Sequence, residues 1–345
     1  MIKIITFFFF YTNITLSCEF VHPVAIDSKT KYIFLVHTYK NQSELLVYNP
    51  NDNKIQEIIN RSKINFWDFK VIPDTQNFSF QDNGIIRIGS LENNILNKIN
   101  FSEPIYNISF INWINKNEFY FSAKKGNKSF IALMNIDNNC IETVLEDEEE
   151  EIFFPQKVDS QYFYISKYTD TKFRKHKSFY KIFVMNHKVK KLVYNFEKTP
   201  IFFLNMIGPD EGFVIEYEKN IDEFANTINF FCHRLKKEGE DWYSEKIFTF
   251  ALPLLVKESE MSILPFLPLF LSKKIFFCNY DQNNLNIDIY CFDVLKKIIH
   301  KKTSAKYMQI FFSPKLFENK IYYGNLFRDN NKLDLNDFKN QFFSF

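Results

Sequence analysis

Glycine is scarce in this chain, with seven copies in 345 residues beside 11 prolines. That excludes collagen-like and glycine-rich low-complexity proteins. It also leaves tight turns to Asn and Asp, the side chains that best tolerate the left-handed backbone after glycine. Five cysteines are too few for a fold built around disulfides. Long apolar runs are missing beyond the N-terminus. Residues 251–271 are apolar at both ends, but Lys257, Glu258 and Glu260 divide them and Pro253, Pro265 and Pro268 punctuate them, so they read as a loop leading into a buried strand. Net charge is almost absent, and a formal +2 gives no general attraction for nucleic acid. No nucleophile elbow, Walker loop, zinc His-Glu pair or Cys-x-x-Cys motif is present. The histidines, His22, His37, His176, His187, His233 and His300, have no metal-ligand spacing. No catalytic residue, cofactor or metal site is therefore assigned from linear motifs.

What is present is apolar and aromatic: 46% hydrophobic residues, with 43 phenylalanines. This is ample for a buried core. The Phe excess reads either as an aromatic binding surface or as the mark of a genome rich in Phe, Ile, Asn, Lys and Tyr codons. The apolar residues recur in a pattern: an apolar strand, a break at Asn, Asp or a polar substitute, then a second strand rich in Lys and Ile. Clear copies are residues 45–59, 131–145, 181–193 and 288–299, with a fainter one at 86–99. Aligned on Asn49, Ser90, Asn135, Asn186, His233, Asp293 and Asn336, the breaks recur at the period of four-stranded propeller blades. Short runs dominated by Ile, Phe, Tyr and Val favour strands over a helical solenoid.

The expected fold is all-β: a seven-bladed β-propeller, with six blades as the alternative, of four-stranded antiparallel blades. Its units fall at about 18–60, 61–103, 104–148, 149–197, 198–250, 251–304 and 305–345, and residues 18–345 form a single domain after a signal peptide at 1–17.

The first residues carry Lys3 ahead of an apolar stretch and then small Ser17 and Cys18, the order of a secretory signal peptide. An ordinary first strand is the other reading. Cleavage before Cys18 would resemble lipoprotein processing, with Cys18 acylated, although Thr15 stands where the usual leucine belongs. Export implies a periplasmic, surface-anchored or secreted protein with no transmembrane span in the mature chain. In that compartment Cys278 and Cys291, on the two arms of one hairpin, are either disulfide-bonded or two buried thiols. Asn13, Asn41, Asn60, Asn77, Asn100, Asn107 and Asn127 are glycosylation acceptors if the source is eukaryotic.

Two charge blocks interrupt the pattern: acidic residues 146–151 and basic residues 172–177. They read as solvated loop charge, as docking patches for a partner, or as partners of one another. Residues 168–177 and 210–226 are insertions in the middle units. Loops on a rim usually carry specificity, so Tyr168, Lys172, Arg174, His176, Asp210 and Glu223 are the candidate partner-binding residues.

Residues 111–139 resemble the WD-like repeat of TolB-type propellers. Trp113 ends an inner strand, Asn115 to Asn117 turn, Phe119 to Ser122 form the next strand and Ile131 to Asn135 the third. The family's Pro-Asp-Gly turn is replaced by Asn115-Lys116-Asn117, and the other units match in outline. The resemblance implies a non-catalytic platform that binds a protein or peptide, as a monomer. Two alternatives stand beside it. One is a glycosidase-like hydrolase with carboxylates gathered in a central channel, for which Asp68, Asp74 and Asp159 are the acids at hand. Arg61, Arg87, Arg174, Arg234 and Arg328 are too scattered for a sialidase-like cluster. The other alternative is an outer-membrane barrel, suggested by the export signal and the terminal Phe345 and opposed by continuous apolar runs such as residues 274–279.

Overall fold

The structure, a computed structural model, describes residues 19–344 apart from 28, 40–41, 63–65, 83, 92–95, 102–104, 171–176, 187–188, 197–199, 221–226, 254–267, 272, 285, 305–309, 318–319 and 327–341. Every regular element among the described residues is a β-strand. β1 to β4 (Glu19–Ile26, Ile33–Tyr39, Gln42–Asn49, Lys54–Ser62) form the first blade. β5 to β8 (Trp67–Val71, Asn77–Asp82, Ile85–Ser90, Leu96–Lys98) form the second. The third is β9 to β12 (Tyr106–Trp113, Glu118–Lys125, Lys128–Asn135, Cys140–Asp147) and the fourth β13 to β16 (Glu150–Val158, Gln161–Asp170, Lys177–Asn186, Val189–Phe196). The fifth is β17 to β20 (Ile201–Gly208, Glu211–Asn220, Thr227–Glu238, Asp241–Pro253) and the sixth β21 to β24 (Leu269–Phe270, Lys274–Asp281, Asn286–Asp293, Ile298–Lys301).

Six four-stranded antiparallel blades make this a β-propeller, with the lower of the two expected blade counts. The rest of the chain contributes β25 to β27 (Ile310–Phe317, Lys320–Leu326, Phe342–Ser344), and β26 pairs with β1 at Phe20↔Leu326 and Val21↔Asn325. The first blade, the sixth and these three strands thereby share one eleven-stranded sheet.

The chain divides into two compact units: Met1–Phe66 with Lys219–Asn229 and Phe250–Phe345, and Trp67–Glu218 with Phe230–Thr249. In the second unit, apolar residues of consecutive blades interlock. Ile86 and Ile99 pack with Ile111, Phe119 and Phe121, and Ile131 with Ile152, Tyr164 and Met185. Ile182, Val193 and Phe196 pack with Leu204, Val214 and Leu235. These strands are covered on both faces, which is why they read as continuous apolar runs rather than as an alternation. In the first unit Val21, Ile33, Leu35, Leu46 and Tyr48 form a core with Tyr322.

The recurring break has a definite structural meaning. Asn49, Ser90, Asn135, Asn186 and Asp293 are each the last residue of the third strand in their blade. Side-chain oxygens of Asn49, Asn135 and Asp293 accept backbone N–H bonds from two residues on, at 3.0, 3.1 and 3.1 Å, closing the turn that glycine would otherwise make. Asn53, Asp74, Asn139 and Asp159 take left-handed φ values of 53° to 58° in their turns, as the glycine shortage requires. His233 departs from the pattern. It lies inside β19, and the turn of that unit comes at Gly239 with φ of 64°.

A second repeat is invisible in the sequence. The first strand of each of the first five blades carries a register shift, at Pro23/Ala25, Trp67/Lys70, Ser109/Asn112, Phe153/Gln156 and Ile201/Phe203. At three of these bulges Asp68, Phe110 and Phe154 adopt φ of 47°, 55° and 53°. A bulge breaks the ladder and frees backbone groups, and at two of these bulges, as on the first strand of the fifth blade just past its bulge, a polar side chain from the neighbouring blade takes such groups up. Asp68 Oδ2 accepts the Ile111 N–H, and Asn112 Nδ2 donates to the Pro155 carbonyl at 3.3 Å. Gln156 bridges both ways, donating to Leu204 O and accepting from Met206 N, each at 2.6 Å. Trp113 adds an indole N–H to the buried Ser79 hydroxyl at 2.7 Å.

Candidate functional site

Blade five of the second unit holds the arrangement with the most chemistry. In a strand alternate side chains share a face. Val214 and Leu235 lie in the core against blade four, so Glu216 on β18 and His233 on β19 turn the same way. His233 Nδ1 stands 3.1 Å from Ser244 Oγ on β20, and its Nε2 stands 3.2 Å from Glu216 Oε1. Three adjacent strands thus line up a hydroxyl, an imidazole and a carboxylate. Glu216 is buried, His233 and Ser244 are half-buried, and the Phe196 ring of β16 meets the imidazole edge-on at 6.0 Å.

The electrostatics hold His233 neutral. Burial, and then the charge of Lys246, push its pKa down to about 4. A neutral imidazole that donates Nε2–H to Glu216 keeps its Nδ1 lone pair for the Ser244 proton. Lys246 Nζ lies over the Phe231 ring at 4.0 Å from its centroid, which places a cation beside the relay. Hydroxyl, base and orienting carboxylate in hydrogen-bonding sequence are the parts of an activated nucleophile.

A cavity of about 420 Å³ opens at one edge of the same two blades. Strand ends and turns line it: Gln161, Asn186 and Lys191 from blade four, and Pro209, Lys237 and Trp242 from blade five.

Among the residues singled out from sequence, Tyr168 is an exposed residue of β14, stacked obliquely on Phe179. Asp210 sits in the β17–β18 turn, 3.5 Å from Lys237 Nζ and beside the cavity. Lys172, Arg174, His176, Glu223 and Cys18 lie outside the described residues. Cys278 faces Ile289 across the β22–β23 ladder and Cys291 faces Phe276, so the two are two residues out of register; both are thiols, and both are buried. Most of the acidic block is paired with lysines of its own neighbourhood. Lys128 binds Glu146 at 2.6 Å and Glu148 at 2.9 Å, Lys124 binds Glu151 at 2.8 Å, and Lys190 binds Glu150 at 2.9 Å. The acids considered for a central channel are otherwise employed: Asp74 and Asp159 as left-handed turn residues, Asp68 in holding Ile111.

Sequence reading missed Glu216 and Ser244, which lie 17 residues before and 11 after His233. The only linear sign was His233 itself, the one break residue that is neither Asn, Asp nor Ser. Among the described residues no three His, Cys, Asp or Glu side chains converge as a metal site, and no helix is long and apolar enough to cross a membrane.

No protein-family model matches the chain, and no curated protein matches it in sequence. Solved structures do match in fold. The β-propeller domain of the Trilobed protease from Pyrococcus furiosus is 12% identical, with a TM-score of 0.55 over 89% of this chain and 91% of that one. An oligogalacturonate lyase from Vibrio parahaemolyticus is 10% identical, with a TM-score of 0.59 over 89% and 90%. The acylaminoacyl peptidase of Pyrococcus horikoshii is 11% identical, with a TM-score of 0.55 over 91% of this chain, which spans 50% of that one. These likenesses show the β-propeller fold. They also correct the expectation of a non-catalytic binding platform, since the propellers that this chain resembles are those of proteases, peptidases and lyases.

Proposed function

We propose that this protein is a propeller-based hydrolase that cleaves an activated acyl bond with Ser244 as nucleophile. The observation that carries the reading is the bridging of His233 between the Ser244 hydroxyl and the Glu216 carboxylate. Ser244 Oγ attacks the acyl carbon while its proton passes to Nδ1 of His233, and Glu216 stabilises the imidazolium that forms. The leaving group departs with that proton. Water then attacks the acyl-serine with the same imidazole as base, returning Ser244. Lys246 supplies positive charge for the developing oxyanion. The occurrence of the fold in peptidases supports the reaction class. The export of the chain, its acylation at Cys18 and the kinship of residues 111–139 with TolB-type repeats belong to the same proposal, resting on the sequence features described above.

The test is labelling by a fluorophosphonate and hydrolysis of p-nitrophenyl acetate. Labelling should map to Ser244, and Ser244→Ala and His233→Ala should each lower the rate about 10²-fold or more. Glu216→Gln should cost less, since it keeps a hydrogen-bond partner for the ring. A wild-type protein that takes no label and matches the buffer rate would sink the proposal.

A further inference from the structure

The cavity at the edge of blades four and five is a site that the Ser244 relay does not use. Its volume of about 420 Å³ falls within the range of small-ligand pockets. Its walls are apolar where Val184, Val189, Pro209 and Trp242 contribute, and the Trp242 ring is braced edge-on against Phe163 at 6.0 Å. Two polar features break that lining. Asn186 Oδ1 is buried with no hydrogen-bond partner, an arrangement that a folded protein seldom tolerates unless a ligand or water completes it. Lys237 carries the second. Its companion in the lining, Lys191, is fully engaged by the Glu240 carboxylate at 2.7 Å and the Glu240 carbonyl at 2.9 Å. Among the described residues Lys237 pairs with the exposed Asp210 at 3.5 Å, beyond a good charge-assisted hydrogen bond, and otherwise feels the Glu240 carboxylate, which Lys191 already holds.

An acceptor awaiting an N–H, a loosely held cation and an apolar wall with an aromatic face specify three parts of one ligand: an amide, a carboxylate and a hydrocarbon side chain. We propose that this cavity binds the carboxy-terminal residue of a peptide ending in an apolar side chain. The amide N–H meets Asn186 Oδ1, the terminal carboxylate displaces Asp210 from Lys237, and the side chain lies against Trp242 and Val184. Asp210, Lys237 and Glu240 stand around the mouth, so peptides with acidic residues just before the terminus are disfavoured by Asp210 and Glu240.

The proposal stands apart from the hydrolase reading, and binding is measured in the Ser244→Ala protein so that turnover plays no part. Titration calorimetry at pH 7 compares N-acetyl-Leu-Leu with its C-terminal amide. The free acid should bind, and the amide about tenfold or more weakly, which is about 1.4 kcal/mol. Lys237→Met should bring the acid down to the level of the amide, and Asn186→Val should weaken both. Thermal melts of each variant separate loss of the site from loss of the fold, and the comparison of acid with amide requires no variant of the cavity. Equal binding of the two ligands, no binding of either, or acid binding unchanged by Lys237→Met in a folded protein would overturn the proposal.

Discussion

Single residues here show how one residue type can mean different things in different places. Asn135 and Asp293 use their side chains to close turns, whereas Asp68, of the same chemistry, reaches the Ile111 N–H in the next blade. Local spacing reveals the first use because donor and acceptor are two residues apart. It hides the second because 43 residues separate the partners. His233 belongs with the hidden kind and has a pH signature. Its pKa in the folded state, about 4, lies below the ordinary 6.5, chiefly because burial penalises the charged ring. The unfolded chain therefore takes up the proton more readily. The stability that this residue contributes is complete above pH 6.5 and is lost as pH falls toward 4. Melting temperatures measured from pH 7 to pH 4 should fall more steeply for wild type than for His233→Gln. Parallel curves for the two would contradict the burial of a neutral ring.

At the scale of the element, hairpins were legible and the joints between blades were not. The strands expected at Phe119 to Ser122 and Ile131 to Asn135 fall in β10 and β11, and the turn expected at Asn115 to Asn117 joins β9 to β10, because strand, Asx turn and strand are all local. The fifth unit misled because β18 to β20 are long, and its turn was placed at His233 rather than Gly239. The bulges in the first strands have no common residue, since Asp68, Phe110 and Phe154 share only a backbone conformation. Gln156 is the most heavily used of the bulge partners. Gln156→Ala would leave Leu204 O and Met206 N without their bond to this side chain, at a cost of about 2–4 kcal/mol for two buried backbone groups. Urea denaturation should show a lower midpoint with an unchanged slope, and hydrogen exchange should speed up at Met206 first. A midpoint within experimental error of wild type would show that the bulge is held by packing alone.

For the whole molecule, the repeat pattern was enough for the fold class. The comparisons then set that fold among propellers found in hydrolases and lyases. The proposed export is tested at this scale too. If the first 17 residues are a signal peptide, the intact mass of protein recovered from an exporting host should begin at Cys18. With acylation it should exceed the polypeptide mass, and Cys18→Ser should abolish the excess. Retention of Met1 in exported-fraction protein would refute cleavage. The amino-acid sequence by itself determined that the chain is all-β, that its units have four strands, and that Asn and Asp make many of its turns. Each of these depends on residues a few positions apart, where apolar period and turn chemistry act. Only the tertiary structure decided that six blades are complete, that polar side chains span the bulges, that most of the acidic block is paired with lysines, and that Glu216, His233 and Ser244 meet. Those outcomes depend on which strands become neighbours and in what register, and a shift of one residue would turn His233 to the opposite face of its sheet.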